Sequence, residues 1–148
     1  IDSLAKTPAN AKILKHARDS KILIAVSKKA PPDKVKRLKE AGGKIITCGS
    51  GKQVNLGLLL TKLAYMGIKK VLLEGGGTLN WSMISENLID EIRVAVAPTI
   101  VGGVNAVTLV EGKGYNTVQN GFRLRLIKAE KAGEDIVLTF KKKTVKKS

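Results

Sequence analysis

The sequence predicts an α/β domain with a mixed central sheet flanked by helices and ending in an antiparallel hairpin. Three observations carry this. Short apolar runs alternate with amphipathic stretches from Lys21 to Glu86, the spacing of parallel βαβ units with right-handed crossovers. Beyond Glu91 the pattern changes, and 122–130 faces 136–142 across Lys131–Ala132–Gly133–Glu134, a hairpin signature. Hydrophobic residues make up 43% of the chain but aromatics only 3%, so the core must be built from Leu, Ile and Val.

Taken in order, residues 1–20 read as irregular, with Pro8 and a short strand expected near Lys12–Leu14. Lys21–Ser27 is apolar and β-branched, as a strand buried on both faces should be. Pro31 and Pro32 open a helix that runs to Ala41, because proline in the first turn gives up no intrahelical bond. Val35, Leu38 and Ala41 share its inner face, and Gly42–Gly43 stops it. Lys44–Cys48 is the next strand. Asn55 can cap a helix over 56–66, which Gly67 ends. A third strand is expected over Lys70–Leu73, then three glycines, then a helix over Leu79–Glu86. Glu91–Ala97 alternates as a strand, 98–103 is a loop, and 106–110 fits a short helix or strand. At 148 residues the default is a single domain over 1–148, with 141–148 a lysine-rich tail.

The net charge of +15, from 27 basic and 12 acidic residues, attracts anions and permits nonspecific binding to nucleic acid. Arginines are few and unclustered, and Tyr65, Trp81, Tyr115, Phe122 and Phe140 stand singly, so no stacking platform for bases is visible. No apolar run approaches the roughly 18 residues of a membrane-spanning helix, and no secretory leader pattern is present; the reading is cytoplasmic. The single cysteine, Cys48, excludes an internal disulfide and a cysteine-based zinc site, and reads as a small buried hydrophobe. His16 is the only histidine, so no triad and no histidine pair for a metal can be assembled; no metal is expected.

The chemistry concentrates in Val71–Leu72–Leu73–Glu74–Gly75–Gly76–Gly77–Thr78–Leu79–Asn80. An apolar strand ends in a carboxylate and three glycines, and a helix begins at Thr78 or Leu79. Bare backbone N–H groups over a helix N-terminus favour a phosphate. Gly75 and Gly77 fit the first two positions of G-x-G-x-x-G, but the third falls on Asn80, and no Gly-Lys-Ser/Thr follows; the segment binds anions by its physics yet matches neither common fingerprint. A crowded strand-to-helix turn is the alternative reading. Glu74 sits at the carboxyl edge, where α/β ligands bind, and can accept hydrogen bonds from amines or sugar hydroxyls. Ser27, followed by Lys28 and Lys29, occupies the equivalent edge of another strand, placed to meet a ribose or its phosphate or to make an ordinary turn.

These residues bear a family resemblance. Leu72-Leu73-Glu74-Gly75-Gly76-Gly77-Thr78-Leu79-Asn80-Trp81, Leu88-Ile89-Asp90-Glu91, Ala97-Pro98-Thr99-Ile100-Val101-Gly102-Gly103 and the opening Ile1-Asp2-Ser3 are together similar to the 2,5-diamino-6-ribosylamino-4(3H)-pyrimidinone 5′-phosphate reductases of riboflavin biosynthesis, a family that includes the reductase domain of the bacterial bifunctional deaminase/reductase. The resemblance implies a dihydrofolate-reductase-like fold. It implies NADPH, or NADH, with Gly75, Gly76, Gly77 and Thr78 against its phosphates and Asp2, Ser3 and Ser27 as further cofactor contacts. It implies Glu74 on the pyrimidine ribosyl phosphate substrate, hydride transfer that turns a ribosylamino into a ribitylamino group, and a homodimer. No residue here is assigned as a catalytic acid or nucleophile. Family members carry a further N-terminal stretch before the position of Ile1, so this chain is expected to lack the first strands and, alone, to hold an incomplete active site. The alternatives are a dihydrofolate-type reductase acting on a pterin and, in a different class, a basic nucleic-acid-binding module.

Overall fold

The computed structural model describes residues 1–15 and 21–143; His16 and positions 144–148 of the basic tail lie outside the described residues. The elements in order are α1 (Lys12–Lys15), β1 (Leu23–Val26), α2 (Pro32–Glu40), β2 (Lys44–Thr47), α3 (Leu56–Tyr65), α4 (Gly77–Ser85), β3 (Glu91–Val96), β4 (Leu124–Ala132) and β5 (Asp135–Lys142). They fall into two compact units, Ile1–Val71 and Leu72–Ser148. Among the described residues no helix is long and apolar enough to cross a membrane.

In the first unit β1 and β2 pair in parallel, Leu23 against Lys44 through Val26 against Thr47, with α2 as the crossover. Residues 1–3 run beside β1 as well: Asp2 N–H donates to Ala25 O (2.8 Å) and Ser27 N–H to Ser3 O (3.0 Å). The β2 side uses Ile22 O and Val26 O instead, so the two neighbours lie on opposite edges of β1, because backbone groups alternate along a strand. The core of this unit is Leu38 and Val26, each 1% exposed, with Ala5, Leu14, Ile24 and Ala30; Val35 and Ala41 pack against it from α2.

The helices stop by one shared device. Gly43 N–H reaches Leu38 O and Gly42 N–H reaches Lys39 O at the end of α2; Ile68 to Leu63 and Gly67 to Ala64 repeat this after α3, and Leu88 to Met83 and Asn87 to Ile84 after α4. Each is a Schellman closure with a left-handed residue just past the helix, glycine twice and Asn87 (φ 60°) once. Asn55 caps α3 by accepting from Leu58 N–H at 2.7 Å.

The second unit holds α4 and an antiparallel sheet in the order β3–β5–β4. The β4–β5 hairpin closes Ala132 against Asp135, leaving Gly133–Glu134 as a two-residue turn. Of that pair only Gly133 has positive φ (64°), the pattern of a II′ turn. A register shift between Leu126 and Lys128 leaves Ile127 as a bulge.

Three local expectations are corrected. Residues 12–15 form a helical turn, not a strand: they meet no ladder partner, and one turn suffices to bury Leu14 (4% exposed). The expected strand over 70–73 has no ladder, and Leu72 is 81% exposed. An apolar run becomes a strand only where neighbouring strands receive its N–H and C=O groups, and none does so among the described residues. Residues 106–110 are neither helix nor strand, but an irregular strap tied to α4 by the bond from the Asn80 side chain to Leu109 O.

Candidate functional site

The glycine segment belongs to the second unit. α4 starts at Gly77, earlier than the sequence suggests, with Gly76 as its N-cap in extended backbone (φ −72°, ψ 171°) and no side-chain cap. Gly76 O accepts from Leu79 N–H (3.0 Å) and Asn80 N–H (3.1 Å). The N–H groups of Gly75, Gly76, Gly77 and Thr78 reach no acceptor among the described residues. Unsatisfied donors at a helix N-terminus are the elements of an anion site.

The three glycines are not equivalent. A Cβ on Gly75 would lie 2.7 Å from Leu79 Cδ2, and one on Gly77 would lie 2.5 Å from Glu111 Cγ; both positions are glycine for packing within the chain. A Cβ on Gly76 meets nothing within 4 Å. Gly76 therefore borders the open space that a phosphate could approach, and the backbone there fits that group. Glu74 is exposed, with no hydrogen bond or ion pair among the described residues, so its carboxylate is free to accept from a ligand.

Asp2, Ser3 and Ser27 come together in the first unit, but their side-chain oxygens already serve the fold. Asp2 Oδ1 accepts from Lys6 N–H (2.9 Å) and Oδ2 from Thr7 N–H (2.7 Å). Burial pushes the Asp2 carboxyl up, yet the bonds from Lys6 and Thr7 together hold it below the usual carboxylate range. Ser3 Oγ accepts from Val54 N–H (3.0 Å). Ser27 is 2% exposed and its Oγ accepts from Lys29 N–H (3.0 Å). Lys28 and Lys29, just past the carboxyl end of β1, are exposed, as is Lys52 beyond β2. Cys48 is fully buried; burial pushes its thiol up, with the Lys62 charge opposing, which suits a core residue rather than a nucleophile.

Sequence reasoning did not single out Glu111. Its N–H donates to Gly77 O (3.1 Å) and its Oε2 accepts from the Thr78 hydroxyl (3.3 Å). Nothing local in the sequence joins positions 33 residues apart. Within the same unit, Trp81, Ile84, Val94, Leu109, Phe122 and Phe140 line an apolar cavity of about 370 Å³ whose one charged lining residue is Glu111. That lining does not suit a phosphate.

Residues 1–138 match the family model described as RibD C-terminal domain. The chain is 40% identical over 140 residues to a protein of Methanothermobacter thermautotrophicus named 2,5-diamino-6-ribosylamino-4(3H)-pyrimidinone 5′-phosphate reductase, covering 95% of this chain and 63% of that one. A protein of the same name from Aquifex aeolicus is 36% identical, over 84% of this chain and 54% of its own length. The chain thus spans somewhat over half the length of these relatives. Among solved structures, a RibD of Acinetobacter baumannii superposes with a TM-score of 0.76 at 25% identity, over 96% of this chain and 36% of the other. A pyrimidine reductase-like protein of Corynebacterium diphtheriae gives 0.75 at 15% identity, evidence of shared fold alone. The architecture is the dihydrofolate-reductase-like α/β type, and the chain belongs to the RibD C-terminal domain family.

Proposed function

We propose that this chain forms part of an NADPH-dependent reductase that converts the ribosylamino group of a pyrimidinone 5′-phosphate to ribitylamino in riboflavin biosynthesis. The observation that carries this is the 40% identity to a reductase of that name, over 95% of the chain. The open backbone donors around Gly76 agree with it.

In this reading the N–H groups of Gly75, Gly76, Gly77 and Thr78 hold cofactor phosphate at the start of α4. Bound NADPH supplies the reducing power. Glu74 accepts hydrogen bonds from the amino or hydroxyl groups of the substrate and fixes its position. In the first unit Asp2 and Ser3 are further cofactor contacts in this reading, as the resemblance implies. Ser27 shapes the turn that presents Lys28 and Lys29, and a lysine pair favours the extra phosphate of NADPH over NADH. We further propose that the enzyme is a cytoplasmic homodimer, as the resemblance implies, and that 1–148 acts as a single domain.

The test is turnover by the full-length protein of the ribosylamino-pyrimidinone phosphate, followed by loss of NADPH absorbance, for wild type and Glu74→Gln. A charged hydrogen bond is lost, so kcat/KM should fall on the order of tenfold to a hundredfold. The NADPH Kd should stay within about twofold, because Glu74 is assigned to substrate alone. Normal turnover with weakened NADPH binding would move Glu74 to the cofactor. Turnover of a dihydropterin in place of the pyrimidinone would overturn the substrate assignment.

A further inference from the structure

The apolar cavity of the second unit has walls from three elements. Ile92 and Phe140, ladder partners on β3 and β5, line it from the sheet, and Trp81 and Ile84 line it from α4. The third wall is the segment 109–115, which is fastened to α4 at several points. Asn80 Nδ2 donates to Leu109 O at 2.8 Å, Glu111 N–H to Gly77 O at 3.1 Å, and the Trp81 and Tyr115 rings meet edge to face with centroids 5.0 Å apart. Gly112, at φ +96°, already lies so near Trp81 that a Cβ would fall 2.5 Å from Cδ1. The segment cannot sink into the space without giving up these contacts. An apolar cavity of about 150 Å³ stays dry and admits benzene. This one, at about 370 Å³, has room for two fused rings. Every residue lining it is uncharged except Glu111, which is exposed to solvent. The Glu111 carboxylate accepts from the Thr78 hydroxyl at 3.3 Å, and no lysine or arginine among the described residues pairs with it. A carboxylate offers about four acceptor positions, so it can take a donor from a ligand as well.

We infer that this cavity binds a flat aromatic amine, with its rings among the apolar side chains and its ammonium group at Glu111 on the solvent side. The division follows from the walls. Uncharged rings gain by leaving water for the space between α4 and the sheet, and an aromatic lining favours ring over chain. The charged end stays hydrated and meets the one carboxylate present, so it carries no cost of full burial. An acid of the same shape is repelled there. The net charge of +15 opposes a cation at long range, but salt screens that field beyond about 8 Å under physiological conditions, whereas Glu111 acts at contact. The inference stands on the cavity alone and takes nothing from the assignment of Gly75–Thr78 to cofactor phosphate.

Tryptamine is the probe, with indole and indole-3-propionate as its neutral and acidic counterparts. Calorimetric titration of the full-length protein should show a single tryptamine site, about threefold to tenfold tighter than indole. Indole-3-propionate should bind more weakly than indole. The indole N–H resonance of Trp81, the one tryptophan of the chain, should shift as the site fills. Glu111→Gln keeps the size of the side chain and removes its charge; it should bring tryptamine to within about twofold of indole and leave the affinity for indole unchanged. Leu109→Trp places a larger side chain at a lining position that is 57% exposed, and should abolish binding of both. Tryptamine at millimolar concentration that gives neither heat nor a shift of Trp81 overturns the inference, as does binding that survives Leu109→Trp in a variant that melts cooperatively. Should Leu109→Trp not fold, Glu111→Gln decides: a preference for tryptamine that persists without the carboxylate overturns the assignment.

Discussion

Gly76→Val should weaken NADPH binding at least tenfold while leaving the melting temperature of the full-length protein nearly unchanged. The structure separates these two effects. Gly76 has the extended backbone of an N-cap (φ −72°, ψ 171°), which valine adopts without strain, and its Cβ would meet nothing within 4 Å. The methyls would instead fill the space before the unsatisfied N–H groups of Gly76, Gly77 and Thr78, and hold a phosphate off the backbone. Losing one or two charge-assisted hydrogen bonds, at about 1.5–3 kcal/mol each, accounts for a tenfold loss or more. Calorimetry and a thermal melt on the same preparation check both halves. Wild-type affinity in a folded variant would remove the phosphate from this helix end. Gly75 and Gly77 are poorer probes, since a side chain at either collides with Leu79 or Glu111.

The second large effect concerns the first unit. Leu38→Ala should cost about 2–5 kcal/mol of stability, a large part of the roughly 5–15 kcal/mol that a typical domain has. Leu38 is 1% exposed and lies in one cluster with Ala5, Leu14, Ile24, Val26 and Ala30. The end of α2 packs closely on β1, since a Cβ added at Gly43 would fall 2.7 Å from Ile24 Cδ1 and 3.0 Å from the Leu38 carbonyl oxygen. Urea unfolding should show a lower midpoint with the slope unchanged. A loss below about 1 kcal/mol would mean that α2 is not anchored by this residue.

Much of this was readable where the signal is local. Pro31–Pro32 and Gly42–Gly43 bracket α2, Asn55 and Gly67 bracket α3, and Gly133 marks the hairpin; each acts within a few residues. The glycine segment was legible for the same reason, and α4 differed only in its first turn. What escaped depends on partners distant in sequence. Residues 70–73 have the composition of a strand but no ladder, and composition cannot supply one. Ser3 carries a hydroxyl able to bind a ligand, yet Val54, 51 residues away in sequence, takes it for the fold. Glu111 became visible only when the strap was seen against Gly77 and Thr78.

The order β3–β5–β4 bears on how the second unit assembles in time. β4 and β5 meet across the two residues Gly133–Glu134, whereas the nearest β3–β5 partners, Val96 and Ile136, are separated by the whole stretch 97–135. Closing the longer loop costs about 2–3 kcal/mol more chain entropy before any contact repays it. The hairpin therefore forms early, on the microsecond scale of isolated hairpins, and β3 docks onto a ribbon already in register. Until then one edge of β5 is an unpaired template bearing Ile136, Leu138 and Phe140 as β3 partners, the point at which a crowded newly made chain is most exposed to mispairing. Pulse-labelled hydrogen exchange should protect the β4–β5 amides before those of β3; simultaneous protection would show that all three strands condense in one step.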